Sequence, residues 1–221
     1  MGDEFKELTE GEALRDPLET MARQLLIEIG ENPDREGLAD TPRRYARWWR
    51  EFTDYQPGVI DTVFESVSSN QTVMVSDMNV WSLCEHHLLP FNCSVSIAYR
   101  ARNSILGLSK FARIAHKHAH KLQLQERLIA DIADEIEKVT GSPDVAVVGR
   151  GEHLCMTMRG IRTSSLMTSA VYRGVFEKEG PERGELLSLL LGAGSDRCGR
   201  LGPTARRPVG QPTGRRRGGT L

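Results

Sequence analysis

The stretch SLCEHHLLPFNCSVSIAY, residues 82–99, sets two patterns side by side. In its second half Cys93, Val95, Ile97 and Tyr99 alternate with smaller residues, the period-2 signature of a strand with one buried face. Its first half carries Cys84, Glu85, His86 and His87 and is closed by Pro90. Upstream, Thr72–Val75 is a second short β-prone run. The stretch therefore reads as two strands flanking a loop rich in soft metal donors.

Working outward, helical periodicity takes over on both sides. Asp16-Pro17 reads as an N-cap and first helical position, followed by Leu18, Met21, Ala22, Leu25, Leu26 and Ile29 at helical spacing, with Gly30 as the stop. Thr41-Pro42 repeats the cap-and-proline pair ahead of Tyr45, Trp48, Trp49 and Phe52, and Pro57-Gly58 closes that helix. Past Gly107 a helix is expected from about Ser109 to His120. Another runs from Leu124 to Val139, with Leu128, Ile132, Ile136 and Val139 inward and Gly141-Ser142-Pro143 as its stop. Val145–Val148 and His153–Met158 read as a second strand pair, and Met167–Phe176 as a further strand. Grouped rather than alternating elements imply an α+β fold: an antiparallel sheet with two long helices on one face, preceded by an N-terminal helical segment. The expected organisation is a helical segment over 1–56, a catalytic domain over 57–191, and a disordered tail over 192–221.

Composition bounds the function classes. The chain has 221 residues and no apolar run long enough to cross a membrane, and its acidic start, Met1-Gly2-Asp3-Glu4, is not expected to be a secretory signal. Residues 192–221 hold seven arginines against one aspartate, a formal +6, so the chain's net −1 leaves −7 on residues 1–191. The body gives no electrostatic reason to bind nucleic acid; the tail's arginines offer at most a weak contact. Four cysteines without a secretion signal point to a reducing cytoplasm, with some thiols in metal or catalytic use.

Cys84, His87 and Cys155 form a zinc-like set of two thiolates and an imidazole. Three protein ligands leave a fourth position for water, the catalytic rather than the structural arrangement. Water on zinc has its pKa lowered to about 7. If 153–158 is a strand, His153 and Cys155 share a face, which places a proton carrier beside the ligand. His86 adjoins His87. Ser109, Lys110 and Arg113 open a helix, Arg159 follows the Cys155 segment, and cations at a helix N-terminus suit a polyanion. Gln125 and Glu126 begin the next helix, where an amide beside a carboxylate suits the edge of a guanine. Two features stay open. Cys93, nine residues from Cys84, is either an alternative ligand or a small core residue. The His116, His118, His120 tract is either a solvated helix face or an adventitious metal site.

The motifs Ser82–Phe91, Gly107–Ile114, Gln125–Leu128, His153-x-Cys155-Met156-x-x-Arg159-Gly160 and Gly37-Leu38-x-Asp40-Thr41-Pro42-x-Arg44 occur together and in order. In this the chain resembles the type I GTP cyclohydrolases over roughly residues 17–190. The resemblance implies a tunnelling fold, subunits joined by their sheets into rings, two rings stacked as a toroidal homodecamer, and sites at subunit interfaces. It implies Zn2+ on Cys84, His87 and Cys155, and hydrolytic opening of the guanine imidazole ring of GTP with loss of formate. His153 would protonate N7, and His86 with Ser109 would assist the later ribose rearrangement. Gln125 and Glu126 would read guanine, while Lys110, Arg113, Arg159 and Arg44 hold the triphosphate. The product would feed folate, biopterin or deazaguanine synthesis. Two rival readings remain: a nitrile-reductase-like enzyme of the same fold with a cysteine nucleophile and no zinc, and a zinc-stabilised nucleotide-binding oligomer without turnover.

Overall fold

A computed structural model describes residues 16–65, 70–102 and 104–195, the last five as backbone only. The chain runs α1 (Pro17–Glu28), α2 (Thr41–Thr53), β1 (Val63–Glu65), β2 (Gln71–Cys84), β3 (Pro90–Ala101), β4 (Ser104–Leu106), α3 (Leu108–Ala119), β5 (Leu122–Gln123), α4 (Gln125–Thr140), β6 (Val145–His153), α5 (Leu154–Thr157), β7 (Met167–Tyr172), a 3-10 turn (Gly174–Phe176) and α6 (Pro181–Ser195).

Five strands form the main sheet in the order β5-β2-β3-β6-β7. Every pairing is antiparallel except one: β5 lies parallel to the end of β2, with Cys84 opposite Gln123. The pattern in 93–99 is realised as expected. Cys93, Val95, Ile97 and Tyr99 are fully buried against α3 and α4, which contribute Phe111, Ile114, Leu128, Ile129, Ile132 and Ile136. Each such aliphatic side chain withdrawn from water contributes about 1.5–3 kcal/mol. The intervening Ala98 faces the other way and packs with Ala146, Phe176 and Leu186, so α6 covers the opposite side of the sheet. Gly141 takes the left-handed conformation (φ 65°) that ends α4.

Several expected boundaries move. The second helix is capped by Asp40, so Thr41 is its first residue. β2 continues through 76–84, where polar and apolar residues do not alternate because Val75/Met78 is a bulge that resets the register. The segment 153–158 is not a strand: β6 runs unbroken from Val145 to His153, and Leu154–Thr157 is a helical turn. α6 extends to Ser195, past the domain boundary expected at 191. The remainder of the tail, with its arginines and Cys198, lies outside the described residues, as do residues 1–15. α1 has the apolar stripe read from sequence but buries only Ala22; Met21, Leu25 and Ile29 are exposed. α1 is joined to α2 by the Asp16–Arg50 ion pair. Among the described residues no helix is long and apolar enough to cross a membrane.

Candidate metal and catalytic site

The loop from β2 to β3 reverses in five residues. Cys84 N–H donates to Leu89 O (2.9 Å), while Cys84 O accepts from Leu88 N (2.9 Å) and His87 N (3.3 Å). Leu88 adopts φ 54°, a left-handed turn that an L-residue takes only under constraint. This winding brings His87 Nδ1 to 3.8 Å from Cys84 Sγ. Two clamps tie the loop to the start of α4. Glu85 N–H donates to Gln123 O (3.1 Å). Arg127 donates to both Glu85 oxygens (2.7 and 3.1 Å), and its guanidinium holds the Glu85 carboxyl below the usual carboxylate range.

Cys155 arrives by a route the sequence reading missed. Because the chain coils after His153, with Thr157 Oγ1 donating to His153 O (2.8 Å) and Met158 N to Leu154 O (3.0 Å), the strand argument for His153 and Cys155 does not hold. The coil nonetheless delivers the thiol: the donor atoms of Cys84, His87 and Cys155 lie within 4.8 Å of one another. Burial, and then the neighbouring Cys84 thiol, push the Cys155 pKa up. Two thiols this close ionise together only with a cation between them, so the donor set fits a soft divalent metal. His87 is exposed and Cys84 buried, so the group opens to solvent on the imidazole side. Cys93 is no alternative ligand. It is fully buried in the core, its Sγ faces Ser94 O (3.9 Å), and burial raises its pKa to about 12.

His153 is the last residue of β6 and the cross-strand partner of Phe91 on β3. Their rings stack with centroids 4.6 Å apart and planes 8° from parallel. Its Nε2 lies 2.9 Å from Gln125 Oε1, and burial lowers its pKa. Gln125 is wholly buried, and its Nε2 lies within 3.1 Å of Gly149 O, 3.1 Å of Met167 O and 2.9 Å of Ser169 Oγ. Gln125, expected to read a guanine edge, has both ends of its amide hydrogen-bonded inside the protein. Its neighbour Glu126 is exposed and near enough to act electrostatically on His153.

The remaining site residues form a more open rim. His86 is exposed, 4.0 Å from Glu85 Oε1, with its ring edge-on to His87. Ser109 is exposed in the first turn of α3. Lys110 Nζ and Arg113 Nη1 converge on one acceptor, Val59 O (2.9 and 3.2 Å). Gly58 (φ 68°) makes that approach possible, since a Cβ there would fall 2.9 Å from Arg113 Nη1. Arg159 is exposed and acts electrostatically on Cys155. Arg44 stands on α2, where its described contact is local, 3.9 Å from Asp40. The histidine tract is not a solvated face: His116 and His120 pack against Tyr55, and only 14% of the His118 side chain is exposed.

Sequence reasoning missed Phe91, Gly151 and Ser169 as supports of His153. A signal existed for one of them, because Gly149 and Gly151 in a strand interior mark close approaches of other groups. A Cβ on Gly151 would lie 2.2 Å from Gln125 Oε1.

Comparison with known proteins identifies the family. Residues 18–191 match the family described as GTP cyclohydrolase I. GTP cyclohydrolase 1 of Hyperthermus butylicus is 44% identical over 73% of this chain and 83% of its own length. The enzymes of that name from Deinococcus radiodurans and Aquifex aeolicus are 41% and 43% identical, over 79% and 80% of this chain and 83% and 97% of theirs. The chain belongs to the GTP cyclohydrolase I family.

Proposed function

We propose that this chain catalyses the zinc-dependent hydrolytic opening of the guanine imidazole ring of GTP, releasing formate and giving 7,8-dihydroneopterin triphosphate. The observation that carries the reading is the convergence of Cys84, His87 and Cys155 at the loop beside a stacked, hydrogen-bonded His153, within a chain of this family. Cys84, His87 and Cys155 would hold the ion. When bound, zinc supplies Lewis acidity that lowers the pKa of water at its open position to about 7.

The chain's own residues do the rest. His153 delivers a proton to guanine N7 as C8 is hydrated, which weakens the bond that must break. His86 and Ser109, both exposed, move protons in the later ribose rearrangement. Glu126 accepts from the amino edge of guanine. Lys110 and Arg113, gathered on one carbonyl, together with Arg159, bind the triphosphate through charge-assisted hydrogen bonds, with Arg44 as the outermost cation. The product would enter folate, biopterin or deazaguanine synthesis in the cytoplasm.

The same reading makes the fold a tunnelling fold assembled as a toroidal homodecamer. It is supported by two sheet edges that are open among the described residues, most of β2 and all of β7, and by apolar side chains left in water around the site: Leu108 is 74% exposed, Ile161 74% and Leu166 73%. Subunit contacts would cover both.

The deciding test is incubation of the purified protein with GTP, with and without a chelator, following pterin absorbance and formate. Chelator-sensitive formation of both supports the reading. Nitrile reduction with NADPH by metal-free protein, or nucleotide binding without formate, replaces it with one of the rivals.

A further inference from the structure

We propose that Gln125 is a positioning residue rather than a substrate-binding one: its amide fixes His153 as the Nε2–H tautomer, leaving Nδ1 as the ring nitrogen available for chemistry. Gly151 is the opening in the sheet that lets it reach.

An amide's oxygen and nitrogen are told apart by what surrounds them. One end of the Gln125 amide faces Gly149 O and Met167 O, two carbonyls that can only accept, and Ser169 Oγ, which does either. That end must be the NH2. A reversed amide would set its oxygen against two carbonyl oxygens, one buried and one half-buried, forfeiting hydrogen bonds and leaving acceptors unsatisfied. The other end is then Oε1, and it lies 2.9 Å from His153 Nε2. An amide oxygen cannot donate, so Nε2 must carry the proton in the neutral ring. Among the described residues, Nδ1 makes no hydrogen bond. Phe91 fixes the ring plane by stacking, and Gln125 fixes its rotation and tautomer, so the imidazole is held on a face and at one edge.

Gly151 supplies the space. A Cβ there would meet Gln125 Oε1 at 2.2 Å and Asn92 O at 2.8 Å, so even alanine must displace the amide. Its φ is not left-handed, so the substitution carries no dihedral penalty, and its effect reports the close approach to the amide together with that to the Asn92 carbonyl, which Gln125→Leu leaves untouched. Ser169 provides a milder handle, because its removal leaves two of the three acceptors in place.

The kinetic part of this inference rests on the reading of His153 as the proton carrier; the tautomer does not. The first measurement is therefore on full-length, zinc-loaded protein with 15N-labelled histidine, by long-range proton–nitrogen correlation at mildly alkaline pH. The His153 signals, assigned by their loss in His153→Asn, should show a single Nε2–H tautomer. An Nδ1–H tautomer overturns the proposal, whether or not the protein turns over GTP. Gln125→Leu and Gly151→Ala should then give mixed tautomers, with retained zinc, a kcat lower by about 10²-fold and little change in KM, the signature of a misplaced catalytic group. Ser169→Ala should lower kcat less. Raised KM with an unchanged tautomer in Gln125→Leu would instead return the residue to substrate binding. If the leucine variant does not fold, the wild-type spectrum and Ser169→Ala still decide.

Discussion

The inner and outer halves of the site are built differently. Inside, Cys84, His153 and Gln125 sit on the ends of β2, β6 and α4, buried or half-buried, each held by a partner from another element. Outside, His86, Ser109, Glu126 and Arg159 are exposed, and exposed apolar residues such as Leu108, Met158 and Ile161 stand among them. One chain brings the three donor atoms and the His153 ring into place through the ends of β2 and β6, the turn after Cys84 and the helical turn after His153. The outer rim is open in a single chain, which is the condition a site shared between subunits would meet.

The largest effect should follow from emptying the inner half. Cys155→Ala removes one of two thiolates from a three-donor set, and metal content by elemental analysis should fall together with formate release, to background. Stoichiometric metal with turnover in this variant would break the ligand assignment. His153→Ala should differ in kind: the metal stays, and ring opening drops by about 10²–10⁴-fold, the usual worth of a positioned acid–base group. Near-normal formate release would take His153 out of the chemistry and leave the inner half as a metal site only.

The same division governs what could be read from the sequence. The buried alternation of Cys93 to Tyr99 and the inward positions of α4 were legible because burial imposes a period. Cys84-x-x-His87 was legible because a turn that wraps an ion constrains spacing. The path of Cys155 was not: a four-residue helical turn leaves no periodic trace, and the strand reading reached the right neighbourhood by the wrong geometry. The internal partners of Gln125 were hidden for a related reason. Its position at the start of α4 is visible in sequence, but the carbonyls of Gly149 and Met167 that claim its amide come from strands 24 and 42 residues away. Cross-strand register decides such contacts, and register is set by bulges and long-range pairing that no local pattern reports.

A smaller effect is expected at the rim. Lys110→Ala removes one of two cations gathered on Val59 O, and a charge-assisted hydrogen bond is worth about 1.5–3 kcal/mol. KM for GTP should rise roughly 10–100-fold while kcat changes little and metal is unaffected, read by steady-state kinetics. A fall in kcat at constant KM would instead place Lys110 in the chemistry and erase the distinction between the halves.

The smallest effect concerns the helix behind the site, and its sign can be worked out. His116 and His118 on α3 both have pKa values lowered from 6.5, first by burial. His120 adds to this for His116. For His118, Lys117 and Lys121 also lower it, while Asp131 and Glu135 partly oppose. A depressed folded pKa means that the unfolded chain binds protons more readily. The stability these rings contribute is thus fully present above pH 6.5 and is lost as pH falls through their folded values. Asp131 and Glu135, also lowered, lose their contribution only below the ordinary carboxylate range, so histidine acts alone between pH 7 and 5. Thermal denaturation across that interval should show a falling Tm, and His116→Gln/His118→Gln should flatten the fall by a few degrees at most. Any loss of metal in this interval would tilt both proteins equally, so the difference between the two slopes isolates α3. Equal slopes would mean that both rings already titrate in the folded protein as they do in water, and that their burial does not shield them.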